Sequence, residues 1–178
     1  MRKIANLVVL MSAVALTACA SSGGSSVTAS SLSVVEKVAI NAPVNKVWEK
    51  VRNFGDLGAW HPAVAKTEIV GGTNNQKGAV RLLTLQDGGT INETLTAYND
   101  SAKTYSYIIN EGVLPVSSYA STIQVVPTSS GSEVIWQGNF KRKDVSASPA
   151  KGQGDATATK TIHAVYRGGL DNLKKISE

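Results

Sequence analysis

The sequence contains very little cysteine and histidine, and few aromatic residues. Its 178 residues include one cysteine and two histidines, and Phe, Trp and Tyr together make up 6%. A single cysteine excludes a disulfide within the chain and a zinc site built from cysteines. The histidines, His61 and His163, lie far apart with no carboxylate cluster at ligand spacing. We therefore predict no metal site.

Motifs of covalent catalysis and of nucleotide binding are also missing. The chain has no G-x-S-x-G turn, no phosphate-binding glycine loop and no dinucleotide fingerprint. The glycine pairs at 71–72 and 88–89 are typical of turns. We therefore expect no cofactor and assign no catalytic residue. Any enzyme activity would depend on the shape of a pocket and on positioned polar groups.

The N-terminus has the pattern of a bacterial secretion signal. Arg2 and Lys3 precede an apolar run, which is too short to span a membrane and ends Leu16-Thr17-Ala18-Cys19. This ending resembles the cleavage box of lipoproteins. We therefore predict a signal peptide at 1–18, a lipidated Cys19 and a flexible Ser/Gly-rich tether over 19–32. The alternative is an ordinary signal peptide with an incidental cysteine.

The same pattern predicts a location and limits the partners. Ala20 after the cysteine resembles the sorting signal for the outer membrane, so we expect anchoring in the bacterial envelope, on the periplasmic face of that membrane. The formal net charge is +5, and removal of Arg2 and Lys3 lowers it to about +3. The remaining basic residues are scattered, so nucleic acid is not an expected partner.

Residues 33–178 are predicted to form one domain. Periodicity and turn residues indicate strands near 33–40, 65–70, 78–85, 90–98, 104–110, 117–126 and 133–140, two short helices after the first strand, and a terminal helix near 155–176. This order is α+β. A curved antiparallel sheet wrapped around the terminal helix would leave a cavity between the two, which suits a ligand.

Several short motifs in this domain resemble those of one superfamily. They are Ala42-Pro43 with Val47-Trp48, Trp60-His61-Pro62, Gly78-Ala79-Val80-Arg81 and Asp87-Gly88-Gly89. Together they resemble the START-like (SRPBCC) superfamily, in its branch of polyketide cyclases/dehydrases and lipid-transport proteins. The resemblance implies the helix-grip fold, with about seven strands around a long C-terminal helix. It specifies function poorly, since the superfamily includes carriers, receptors, enzymes and accessory proteins.

Two charged residues lie on apolar strand faces. Glu93 alternates with Ile91 and Leu95, and Arg81 alternates with Leu83 on the preceding strand. A three-residue loop at Asp87-Gly88-Gly89 would place Arg81 opposite Leu95 and diagonal to Glu93, within reach of an ion pair. The pair is either the polar anchor of a ligand pocket or a structural element of the sheet.

Aromatic residues share these inward faces. Candidates for the pocket wall are Tyr105, Tyr107, Tyr119 and Trp136, and Trp60 and His61 are candidates for its mouth. Ordinary core packing explains any one of the aromatic residues equally well, and His61 could instead cap a local turn.

The sequence therefore predicts a lipid-anchored protein that binds a small hydrophobic or amphipathic molecule between sheet and terminal helix. One alternative is a cyclase/dehydratase-like or hydrolase-like enzyme that uses the same cavity. The other is an accessory protein that docks on a periplasmic enzyme, which would need an exposed apolar patch in place of a pocket.

Overall fold

The computed structural model describes residues 29–178, so the predicted signal peptide, Cys19 and most of the predicted tether lie outside the described residues. The elements in chain order are β1 (Leu32–Ile40), α1 (Val44–Val51), a short 3₁₀ segment (Phe54–Ala59), β2 (Val64–Gly71), β3 (Val80–Leu85), β4 (Thr90–Asn99), β5 (Thr104–Gly112), β6 (Val116–Thr128), β7 (Gly131–Arg142) and α2 (Asp155–Ser177). Within residues 29–178, neither helix combines the length and apolar character that crossing a membrane requires.

The seven strands form one antiparallel sheet in the order β1-β7-β6-β5-β4-β3-β2. Consecutive strands from β2 to β7 are neighbours in the sheet, so each pair is joined by one of the turns that the sequence indicates. β1 closes the order beside β7, and the connection that leaves β1 carries α1 and the 3₁₀ segment to the far edge. This is the predicted α+β helix-grip arrangement.

Helix α2 lies along the sheet beside β1. Contacts of His163 with Glu36 and of Lys174 with the Ala39 carbonyl show that the two elements run in the same direction. The face of α2 that packs on the sheet is formed by Ala158, Ile162, Tyr166, Gly169, Leu170 and Leu173. Steps of three and four residues in the sequence predict an apolar stripe formed by Ala158, Ile162, Val165, Gly169, Leu173 and Ile176. The structure adds Tyr166 and Leu170 to the buried face, whereas Val165 is half-buried and Ile176 is exposed.

Gly169 allows this helix to approach the sheet closely. A Cβ atom at position 169 would lie 2.6 Å from Cδ2 of His61 and 2.9 Å from Cζ3 of Trp136, which is closer than carbon atoms pack. The neighbouring Gly168 has open space around it. A glycine pair in the middle of a predicted helix indicates close packing or a kink. Close packing applies to Gly169 and not to Gly168.

Candidate functional site

The β3–β4 hairpin places Arg81 directly opposite Glu93. The turn closes one residue earlier than predicted, because Leu85 N–H donates to the Gly89 carbonyl at 2.8 Å and Gly88 takes a φ of 85° that glycine tolerates. The predicted register placed Arg81 opposite Leu95 and diagonal to Glu93. It is therefore wrong by two residues along β4. Both side chains still point inward, since the loop keeps an odd number of residues.

Arg81 is buried, and each of the three nitrogen atoms of its guanidinium group has a partner. Its Nε and Nη2 each lie 2.6 Å from Oε2 of Glu93, and Nη1 donates to the Phe54 carbonyl at 2.7 Å. The guanidinium carbon also stands 4.1 Å from the ring centre of Phe54 and 5.2 Å from that of Tyr107. Burial alone would lower the pKa of Arg81, but the charge of Glu93 raises it above its usual value. Arg81 therefore stays charged and holds Glu93 in place.

Glu93 has one carboxylate oxygen left over. Both bonds from Arg81 reach Oε2, and Oε1 makes no hydrogen bond within residues 29–178. Burial raises the pKa of Glu93, although Arg81 acts in the opposite direction. Since Glu93 lines an internal cavity, this free oxygen is an acceptor on the cavity wall.

This inner cavity lies between the sheet and α2 and has a volume of about 70 Å³. It is lined by Leu57, His61, Ala63, Val64, Leu83, Leu85, Ile91, Glu93, Tyr107, Ile109, Leu114, Tyr119, Trp136 and Val165. Its wall is mostly apolar, with Glu93 as the only charged side chain among these residues. The volume is well below the roughly 300 Å³ at which pockets for larger ligands begin.

Five of the eight predicted pocket residues line the inner cavity, namely His61, Glu93, Tyr107, Tyr119 and Trp136. The other three are buried behind it. Arg81 supports Glu93, and Tyr105 packs edge-on against Phe54 with 6.0 Å between ring centres. Trp60 packs against Trp136, with 5.5 Å between ring centres. The indole nitrogen of Trp60 is buried and has no hydrogen-bond partner within residues 29–178.

A chain of hydroxyl groups joins β6 to α2 beside the cavity. Ser121 Oγ donates to the Gln137 carbonyl at 2.8 Å, because a carbonyl oxygen can only accept. Tyr166 OH, 2.8 Å from Ser121 Oγ, must then donate to the serine, and Tyr119 OH donates to Tyr166 at 2.6 Å. Burial raises the pKa of Tyr166 to about 12 and that of Tyr119 well above its usual value. Both hydroxyls therefore keep their protons.

Tyr107 adjoins the same hydroxyl chain. Trp136 Nε1 donates to Tyr107 OH at 3.0 Å and to Ser121 Oγ at 3.1 Å, so Tyr107 is an acceptor in that contact. The hydroxyl group of Tyr107 also forms a hydrogen bond with the Ser121 side chain, and burial raises the pKa of Tyr107 well above its usual value, so the proton remains. The cavity wall thus presents one free acceptor, from Glu93, beside hydroxyl groups that already have partners.

The sequence analysis missed Tyr166. The available signal was its spacing, four residues after Ile162 and four before Leu170 on the buried face of α2. Gly138 on β7 makes room for the ring, because a Cβ atom at that position would collide with the Tyr166 hydroxyl group. Neither relation is visible without the contact between helix and sheet.

His61 joins the loop before β2 to α2. Its Nδ1 accepts from Ala63 N–H at 3.2 Å, so Nε2 carries the proton and donates to the Val165 carbonyl at 3.0 Å. Burial lowers the pKa of His61, with a smaller contribution in the same direction from the charge of Arg81. The imidazole is therefore neutral near pH 7.

An open groove lies outside this contact. This outer groove has a volume of about 680 Å³ and is lined by His61, Pro62, Ala63, Ala156, Thr157, Lys160, Thr161, Ala164, Val165 and Gly168. Three of these residues, His61, Ala63 and Val165, also line the inner cavity. The groove and the cavity are therefore adjacent, separated by the contact between His61 and Val165.

No metal centre is evident in the part of the chain that the structure describes. No three His, Cys, Asp or Glu side chains in residues 29–178 are grouped so that they could hold an ion. The polar groups that line the inner cavity are the Glu93 carboxylate, the hydroxyl groups of Tyr107 and Tyr119, and the His61 imidazole.

Solved structures with this architecture come from several sources. The protein XoxI from Bacillus cereus is 30% identical, with a TM-score of 0.69, and the match covers 83% of this chain and 94% of that one. A protein from Nitrosospira multiformis is 27% identical, with a TM-score of 0.68 and coverage of 83% and 97%. Ara h 8.0201, at 18% identity, a TM-score of 0.64 and coverage of 83% and 98%, shares the fold.

The sequence comparisons give the family directly. No curated protein sequence matches the chain. A family model described as "Polyketide cyclase / dehydrase and lipid transport" matches residues 31–178, which is the whole described domain apart from its first two residues. The chain therefore belongs to the polyketide cyclase/dehydrase and lipid-transport family.

Proposed function

We propose that this protein is a lipid-anchored protein of the bacterial envelope that binds one small hydrophobic or amphipathic molecule between the sheet and α2. The family and the fold both indicate binding of hydrophobic molecules. The observation that carries the proposal is the inner cavity, whose apolar wall holds a free carboxylate oxygen beside buried hydroxyl groups. A few positioned polar groups in an apolar cavity are typical of ligand sites.

The sizes of the two spaces suggest how the ligand would lie. The inner cavity, at about 70 Å³, is about half as large as a cavity of ~150 Å³ that holds benzene. It therefore suits a polar head group and a few carbon atoms. The outer groove, at about 680 Å³, offers room for an apolar chain on the other side of His61 and Val165. Binding of a longer molecule requires these two residues to move apart.

The proposal predicts that affinity rises with chain length. We expect straight-chain 1-alkanols of four to eight carbons to bind the purified protein, with about fourfold tighter binding for each added CH₂ group, or roughly 0.8 kcal/mol. Trp136 lines the cavity, so tryptophan fluorescence can report the titration. Affinities that are unmeasurable, or that do not depend on chain length, would contradict the proposed function.

A pair of variants provides the control. Ala63 is exposed and borders both spaces, so Ala63→Phe should obstruct passage between them and remove the dependence on chain length. Ala65 is also exposed and lines neither space, so Ala65→Phe adds the same ring without that effect. Equal binding by both variants would argue against entry at this point.

The anchor is a separate proposal with its own test. If Cys19 carries the lipid, radiolabelled palmitate will enter the wild-type protein, and Cys19→Ala will abolish the incorporation. Ser21→Ala, two residues further on, should retain the label. Fractionation of the envelope should find the labelled protein with the outer membrane. Labelling that persists in Cys19→Ala, or recovery of unlabelled wild-type protein in the periplasm, would overturn the proposal.

A further inference from the structure

Arg81, the cation nearest to the inner cavity, is not available to a ligand. Its nitrogen atoms bond Glu93 and Phe54, the rings of Phe54 and Tyr107 stand beside its guanidinium group, and it does not line the cavity. Among residues 29–178, those that do line it include no lysine or arginine. A carboxylate head group would therefore meet the free oxygen of Glu93 without a positive charge to balance it.

A cationic head group is also disfavoured. Arg81 and Glu93 already form a buried pair of opposite charges, with side chains 1% and 5% exposed. An ammonium group beside Glu93 would bring a second positive charge close to Arg81 and leave a net charge in the interior. A buried charge without its own partner is costly, because the protein interior solvates it poorly.

An uncharged hydroxyl group matches the free acceptor of the wall. It can donate its proton to Oε1 of Glu93, and it adds no charge to the buried pair. Tyr107 lines the same cavity, but its hydroxyl group already contacts Trp136 and Ser121. A hydroxyl head group therefore satisfies an acceptor that otherwise has no partner within residues 29–178.

We infer that the inner cavity selects a ligand whose head group is an uncharged hydrogen-bond donor, such as an alcohol, and discriminates against carboxylates and ammonium ions. This inference rests on the proposed function, because it names the class of ligand that the same site takes. It separates this site from one built for fatty-acid anions, in which a basic residue faces the ligand.

The test compares three head groups on one chain length. The purified protein is titrated at neutral pH with 1-hexanol, hexanoate and hexylammonium, with tryptophan fluorescence and calorimetry as readouts. We expect 1-hexanol to bind at least about tenfold more tightly than either ion, which corresponds to roughly 1.4 kcal/mol. Hexanoate that binds as well as 1-hexanol would overturn the inference and leave the proposed function intact. Failure of all three probes, and of longer alkanols, would instead count against the proposed function.

Two variants assign the selectivity to named groups. Glu93→Gln removes the negative charge and leaves Arg81 without its counter-ion, so the order should invert and hexanoate should bind more tightly than 1-hexanol. Glu68→Gln makes the same change at a partly exposed carboxylate on β2 and should leave the order unchanged. If the order stays the same in a folded Glu93→Gln protein, Glu93 does not set the selectivity and the inference fails.

Discussion

Replacement of Arg81 by methionine is expected to destabilise the protein by about 3–5 kcal/mol, because it leaves a carboxylate buried without its partner. Glu93 would lose both of its 2.6 Å contacts, and the Phe54 carbonyl would lose its donor. The rings of Phe54 and Tyr107 would lose the cation that stands beside them. Urea denaturation followed by circular dichroism measures the effect as a lower midpoint.

The pH dependence of this loss identifies its cause. Burial already raises the pKa of Glu93 in the wild-type protein, and without Arg81 the pKa would rise further. A carboxyl group with a higher pKa in the folded state than in the unfolded state destabilises the folded state as the pH rises above the pKa of the unfolded state. The deficit of Arg81→Met should therefore be largest near neutral pH and should narrow as the solution is acidified.

A surface arginine provides the control for this prediction. Arg52 lies 4.0 Å from Asp100, and both side chains are more than half exposed. Exposed pairs contribute little because water and salt screen them. Arg52→Met should therefore leave the urea midpoint nearly unchanged. Equal losses in the two variants, or a loss in Arg81→Met that does not depend on pH, would contradict the role given to the buried pair.

Alanine at Gly169 is expected to destabilise the protein by about 1–3 kcal/mol, although alanine favours a helix. The new Cβ atom would lie 2.6 Å from the His61 ring and 2.9 Å from the Trp136 ring, so α2 or both rings must shift. Both rings line the inner cavity. The variant should therefore also weaken binding of 1-hexanol, and thermal denaturation and the fluorescence titration measure the two effects.

The adjacent glycine should respond in the opposite direction. Gly168 is exposed and has open space around it, so Gly168→Ala meets no neighbour and gains helix propensity. We expect it to stabilise the protein by up to about 1 kcal/mol. Similar changes in stability for the two alanine variants would show that Gly169 is not needed for close packing of α2.

The positions of the strands and helices were predictable from the sequence because their signals are local. Alternation with period two placed Arg81 and Glu93 on the inward face, and a three-residue loop kept them on the same side of the sheet. The turn residues between strands gave boundaries that differ from the structure by at most two residues. The predicted register of β3 and β4 was wrong by two residues along β4. Either glycine of the pair 88–89 could have closed the turn, and the backbone conformation decides between them.

The contents of the interior depend on contacts between residues far apart in the chain. Tyr166 completes a hydroxyl chain with Ser121 and Tyr119, more than forty positions earlier, and Gly138 makes room for it. No periodicity in the sequence shows that these three hydroxyl groups bond to one another.

The sequence by itself determined that this protein has a helix-grip domain with a buried carboxylate, and it predicted the lipid anchor from its one cysteine. Only the tertiary structure decided that Arg81 is held behind the cavity wall, that Glu93 keeps one oxygen free, and that the inner cavity measures about 70 Å³. The physical reason is that a side chain's face follows from its own strand, whereas the space and partners left to it depend on every element packed against that face.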